Sequence, residues 1–153
     1  MKYSLLLVFV FLISSFQSSS SEGPNLEGSW TLIKYKYGHD TELSSVPKMI
    51  HYVKNLTRSH FSWCSYNPDD GNIVGTGGGT YHIEGGKYIE ETDFWYPSDS
   101  GISGTKTAFS YSTKGNLWTI RGYIRSVALD PASGEVNAID STYMEEVWQR
   151  MEN

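Results

Sequence analysis

The tight turns that punctuate its strand-like runs constrain this chain more than any other feature. Gly85-Gly86 separates residues 79–84 from residues 87–96, and both flanks are rich in Tyr, Ile and Thr. Two glycines in a row between such runs allow the positive φ that a two-residue hairpin turn requires. Lys114-Gly115-Asn116 plays the same part between residues 106–113 and 117–125. Asn67-Pro68-Asp69-Asp70-Gly71 and Asp130-Pro131-Ala132-Ser133-Gly134 are further turn sequences. Residues 28–37, 48–56, 60–66 and 136–150 are the remaining extended runs, while 41–47 is polar and fits a loop or a short helix limited by Pro47. No long helical periodicity interrupts the series. About eight strands with short connections predict an all-β domain, either a sandwich or an antiparallel up-and-down barrel. Closure into a barrel is the better solution, because it removes the edges that so many strands would otherwise expose.

The first residues have a different character. Lys2 precedes the apolar run 5–13, and a serine-rich stretch follows to Ser21. A positive start, a short apolar centre and a small-residue exit are the parts of a secretory signal peptide. The run is too short for a membrane-spanning helix, which takes about 20 residues. The expected organisation is a signal peptide over 1–21 and one domain over 22–153, with a secreted or periplasmic protein and no membrane span left after cleavage. Cys64 is the single cysteine, so no intramolecular disulfide can form. It has no basic neighbour within 61–66 to stabilise a thiolate, which predicts a small buried hydrophobe. A net charge of −5 with no Lys/Arg cluster argues against nucleic acid or an anionic membrane as partner. The 5 Trp, 11 Tyr and 6 Phe supply large rings to fill or line an interior.

Gly28-Ser29-Trp30 resembles the Gly-x-Trp of lipocalins and related calycin barrels. More closely, the chain is similar to a lipocalin-like family of small exported bacterial proteins. The resemblance continues through Lys34-Tyr35-Lys36-Tyr37-Gly38, Ser59-His60-Phe61-Ser62-Trp63, Gly77-Gly78-Gly79-Thr80-Tyr81, Tyr88-Ile89-Glu90-Glu91 and Glu145-Glu146-Val147-Trp148-Gln149-Arg150. It implies a lipocalin-like barrel in which Trp30 plugs one end and Arg150 packs across its ring, with Gly28 at the same closure. A guanidinium over an indole gains a cation–π contact while it donates to nearby carbonyls. The resemblance implies a fold and no particular reaction.

Strand alternation suggests where a ligand would sit. Along 88–95 one face carries Tyr88, Glu90, Thr92 and Phe94, and the other Ile89, Glu91, Asp93 and Trp95. The first face is the expected lining, since a single Glu among rings needs only one partner. An inward-facing Arg121 would pair with Glu90 or with an acidic ligand; the alternative is a solvated outer position. The expected ligand-binding set is Phe61, Trp63, Tyr81, Tyr88, Glu90, Phe94, Phe109, Trp118 and Arg121, around a small hydrophobic or amphipathic molecule. These rings either line a cavity or fill the barrel, and a cavity is the reading adopted. Two rivals stand beside it. A barrel enzyme of isomerase, cyclase or hydrolase type needs His51, His60 and Glu90 to converge. A filled-barrel interaction module needs an exposed aromatic patch such as Trp95 with Tyr96. No metal and no cofactor is expected, because no ligand spacing of the His-Glu-x-x-His kind occurs. Gly75-Thr76-Gly77-Gly78-Gly79-Thr80 lacks the Lys-Ser/Thr of a phosphate loop, and its glycines suit a barrel corner. His39 and His82 lie beside turns or charges and read as surface residues.

Overall fold

The computed structural model describes residues 24–98, 101–129 and 136–152. The expected signal peptide and the turn expected at 130–134 lie outside them. Nine strands form one antiparallel sheet: β1 (Gly28–Tyr37), β2 (Ser44–Ser45), β3 (His51–Leu56), β4 (His60–Tyr66), β5 (Ile73–Glu84), β6 (Lys87–Tyr96), β7 (Lys106–Lys114), β8 (Leu117–Leu129) and β9 (Val136–Arg150). Each of β3 to β8 pairs with the next, and β1 pairs with both β3 and β9, which closes an eight-stranded up-and-down barrel. β2 is a two-residue addition against Lys34 and Tyr35 of β1, so the segment expected to be a loop or short helix contributes a brief strand instead. Among the described residues no helix is long and apolar enough to cross a membrane.

Gly85 and Gly86 take φ of +55° and +73°, the pair of positive values that lets a two-residue turn follow the twist of its strands. β5 begins at Ile73, earlier than its Gly-rich sequence suggests. Those glycines lie within the single strand β5. They make room: the Trp63 and Trp95 rings stack edge-on at 4.7 Å, and a methyl group at Gly77 would lie 2.7 Å from Trp63 Nε1 and 3.0 Å from Trp95.

Two bulges decide which side chains enter the barrel. In β1 the pairing with β9 shifts between Leu32 and Lys34. Trp30 and Leu32 are buried before the shift, while Tyr35 and Tyr37 pack against the core after it. In β6 the pairing with β5 steps from Gly79↔Thr92 to Gly78↔Phe94, leaving Asp93 unpaired. An extra residue in one strand inverts the faces beyond it. Gly79 holds this bulge, because any Cβ there would run into the Glu91 carbonyl oxygen and approach the Asp93 nitrogen at 2.8 Å.

The barrel is filled over one half of its length. Trp30, Leu56, Phe61, Tyr81, Tyr88, Phe109, Trp118, Ile120 and Trp148 form a continuous buried cluster. Leu26, buried beside Trp30, brings the chain across this end just before β1. The Arg150 guanidinium lies 4.2 Å from the Trp30 ring centroid. Its Nη1 donates to the Glu27 carbonyl (2.6 Å) and its Nη2 to the Asn25 carbonyl (2.8 Å), while Trp30 Nε1 donates to the Leu26 carbonyl (2.9 Å). Gly28, at φ +126°, leaves the space through which Arg150 reaches; a Cβ there would meet Nη1 at 2.6 Å. The plug and its guanidinium cover are thus in place as expected.

Candidate functional site: the open half of the barrel

The other half of the interior is hollow. A cavity of about 470 Å³ is lined by Tyr37, Tyr52, Lys54, Trp63, Ser65, Glu90, Trp95, Tyr96, Ile102, Ile124, Met144, Glu146 and Trp148, among others. The expectation of a cavity and its rival, a filled barrel, each describe one end of the same molecule. Pockets of about 300–1,000 Å³ are the usual size for sites that enclose a small organic molecule.

The inner wall of the cavity carries three buried charge-bearing side chains. Lys54 is 3% exposed and forms a hydrogen-bonded ion pair with Glu90 Oε1. The Tyr88 hydroxyl donates to the same oxygen at 2.8 Å. Four rings surround the ammonium, those of Phe61, Tyr88, Trp118 and Trp148, with centroids 5.1–5.6 Å from Nζ. Their π faces replace part of the water the ammonium gives up. Burial drives the Tyr88 hydroxyl well above its ordinary pKa, and Glu90 pushes it further, so Tyr88 stays a neutral donor. Among the described residues, Glu90 Oε2 receives no donor.

Glu146 is the third. Its Oε1 accepts from the Tyr37 hydroxyl at 2.5 Å and its Oε2 from Trp148 Nε1 at 2.9 Å. Burial raises its carboxyl above the usual 4.5; Lys54 and the two donors pull against that rise, and Glu90 adds to it. Tyr37 moves up strongly as well, chiefly through burial and then through the neighbouring carboxylate. It therefore donates to Glu146 and does not ionise.

The expected ligand-binding residues separate into three groups. Trp63 and Glu90 line the cavity. Phe61, Tyr81, Tyr88, Phe109 and Trp118 are buried in the filled half; of these, Phe61, Tyr88 and Trp118 support the inner wall by enclosing Lys54. Phe94 and Arg121 stand outside. Phe94 is 49% exposed because the Asp93 bulge inverts β6, which brings Trp95 to the cavity in its place. Arg121 lies on the outer face of β8 between Ser110 and Glu145, in a surface groove with Tyr123 and Tyr143. Glu90 takes Lys54 as its partner instead.

The grouping of His51, His60 and Glu90 does not form. Both histidines are exposed, with His51 packed edge-on to Tyr66 and His60 bonded to Ser59 Oγ at 2.9 Å, whereas Glu90 points inward. Among the described residues no three His, Cys, Asp or Glu side chains come together in a way that could hold a metal ion. Cys64 is half-buried between the inward-facing Trp63 and Ser65, not enclosed in the core.

Lys54, Glu146, Tyr37 and Tyr52 were missed as site residues, although a signal for two of them existed. Lys54 shares strand parity with Tyr52 and Leu56, and Glu146 shares it with Met144 and Trp148. A charged residue on a face otherwise made of rings and aliphatics is an interior charge unless the strand bulges. No protein-family model matches the chain, and no curated protein matches it.

Proposed function

We propose that this protein is a lipocalin-like carrier that encloses a small amphipathic molecule in the open half of its barrel. The observation that carries the proposal is the pairing of a ring-walled cavity with a charged inner wall inside one closed barrel. Trp63, Trp95, Tyr52 and Tyr96 offer apolar contact area, and Glu90 and Glu146 offer acceptors that would orient a polar head. The Gly28, Trp30 and Arg150 closure supports membership of the calycin superfamily. The leader-like residues 1–21 support export, which N-terminal sequencing of the mature chain checks.

Three of the five tryptophans, Trp63, Trp95 and Trp148, line the cavity, whereas Trp30 and Trp118 lie in the filled half. Occupancy is therefore expected to change tryptophan emission, and Trp63→Phe to remove a large part of that change. The measurement is a fluorescence titration with apolar naphthalene derivatives, joined to native mass spectrometry of protein taken from its source. Emission that stays constant at saturating probe, with no co-purifying mass, would sink the reading.

A further inference from the structure

We propose that the cavity selects organic cations, a protonated amine or a quaternary ammonium carried on an apolar or flat aromatic body, with Glu146 as the counter-charge. This rests on the carrier reading above and adds the chemical class of the cargo.

Three observations lead there. The inner wall holds two carboxylates and one ammonium. That ammonium is already committed: Lys54 bonds Glu90 and is enclosed by four rings, so it offers little to an anion arriving from the mouth. The carboxylates keep spare capacity. Among the described residues Glu90 Oε2 receives no donor, and each Glu146 oxygen accepts one bond, from a neutral group. A carboxylate oxygen carries about two acceptor sites.

The walls suit the same class. Tyr37, Tyr52, Trp63, Trp95, Tyr96 and Trp148 surround the hollow, and the electron-rich face of an aromatic ring attracts cations. An anion would meet those faces and two acidic groups. A neutral molecule would leave the excess negative charge of the inner wall without a partner.

Glu146 connects binding to pH. The charged or titratable groups around it are Tyr35 and Tyr37 from β1, Tyr52 and Lys54 from β3, and Tyr88 and Glu90 from β6. Its cross-strand neighbour on β8 is the apolar Ile120. Burial and the nearby carboxylates raise Tyr37, Tyr52 and Tyr88 and keep them neutral, and Lys54 is bonded to Glu90, which leaves Glu146 as the group whose proton competes with a bound cation. A cation favours the ionised carboxylate. Its affinity is therefore full above the raised Glu146 value and falls as pH drops through it.

The test is isothermal titration calorimetry of the whole protein with three probes sharing one ring system: 1-naphthylmethylamine, 1-naphthalenemethanol and 1-naphthaleneacetate. The amine is expected to bind at least about tenfold more tightly than the other two at pH 8, a gap near 1.4 kcal/mol. Its advantage should shrink as pH falls from 8 to 5. Glu146→Gln should remove both the advantage and its pH dependence, with an unchanged far-ultraviolet circular dichroism spectrum showing that the variant is folded. Tyr37→Phe, which deletes one donor to the carboxylate, should move the midpoint of the pH profile upward. If none of the three probes binds, the carrier reading itself fails. If the alcohol binds and the amine gains nothing, or the acetate binds best, the cavity stands and the cation assignment is overturned. Undiminished amine binding by Glu146→Gln overturns it equally.

Discussion

Lys54→Met is expected to cost about 3–5 kcal/mol of folding stability, the usual result of leaving a buried carboxylate without its cation. The ammonium is nearly inaccessible, bonds Glu90 and sits among four rings. Methionine would keep the stem and remove the charge, so Glu90 would have to stay ionised in an aromatic surround or take up a proton. Burial of the pair is itself costly, and its net worth is much smaller than the cost of breaking it. The double variant Lys54→Met/Glu90→Gln should therefore recover most of the loss, since Tyr88 can still donate to the amide oxygen. Urea denaturation gives the answer: a large fall in midpoint at unchanged m-value for the single variant, and its recovery in the double. A single variant within about 1 kcal/mol of the parent would mean that water reaches Glu90 and that the ion pair behaves like a surface one.

Trp30→Ala should be the second severe change, at about 3–5 kcal/mol. The indole is 2% exposed, packs 5.4 Å from the Trp118 ring centroid and donates to the Leu26 carbonyl. Its loss opens a void at the end where residues 24–28 cross the barrel, and it removes the surface on which Arg150 lies. Arg150→Met should cost less, about 1.5–3 kcal/mol, because it removes charge-assisted bonds to the Asn25 and Glu27 carbonyls at a partly exposed site. A double-mutant cycle on the two residues should show a coupling of at least about 0.5 kcal/mol. Additive effects would mean that the guanidinium covers the ring without being held by it.

The hairpins were legible because their turns demand particular residues. Gly85-Gly86 and Lys114-Gly115-Asn116 sit where the chain reverses, and strands 28–37, 60–66, 87–96 and 136–150 coincide with β1, β4, β6 and β9. The Trp30 and Arg150 closure was legible through resemblance. The two sides of β6 were legible as far as Thr92 and then inverted. Bulges are set by pairing with another strand, here by the bare backbone of Gly79, and alternation along one strand carries no trace of them. Arg121 and Lys54 show the same difficulty from another side. Each is a cation in a strand rich in aromatic and β-branched residues, and only the neighbours on its own face distinguish outside from inside. For Lys54 those neighbours are Tyr52 and Leu56; for Arg121 they are Thr119 and Tyr123, with Tyr123 61% exposed.

A barrel stoppered at one end and hollow at the other is a cul-de-sac. On the carrier reading, and among the described residues, a molecule taken up past Tyr96 and Ile102 would meet the plugged end and leave the way it came. Thr142 of β9 lines the same cavity and is exposed, and Thr142→Trp should slow loading and unloading alike and leave the equilibrium constant nearly unchanged. Residence time can thus be tuned at the entrance independently of the chemistry at the far wall.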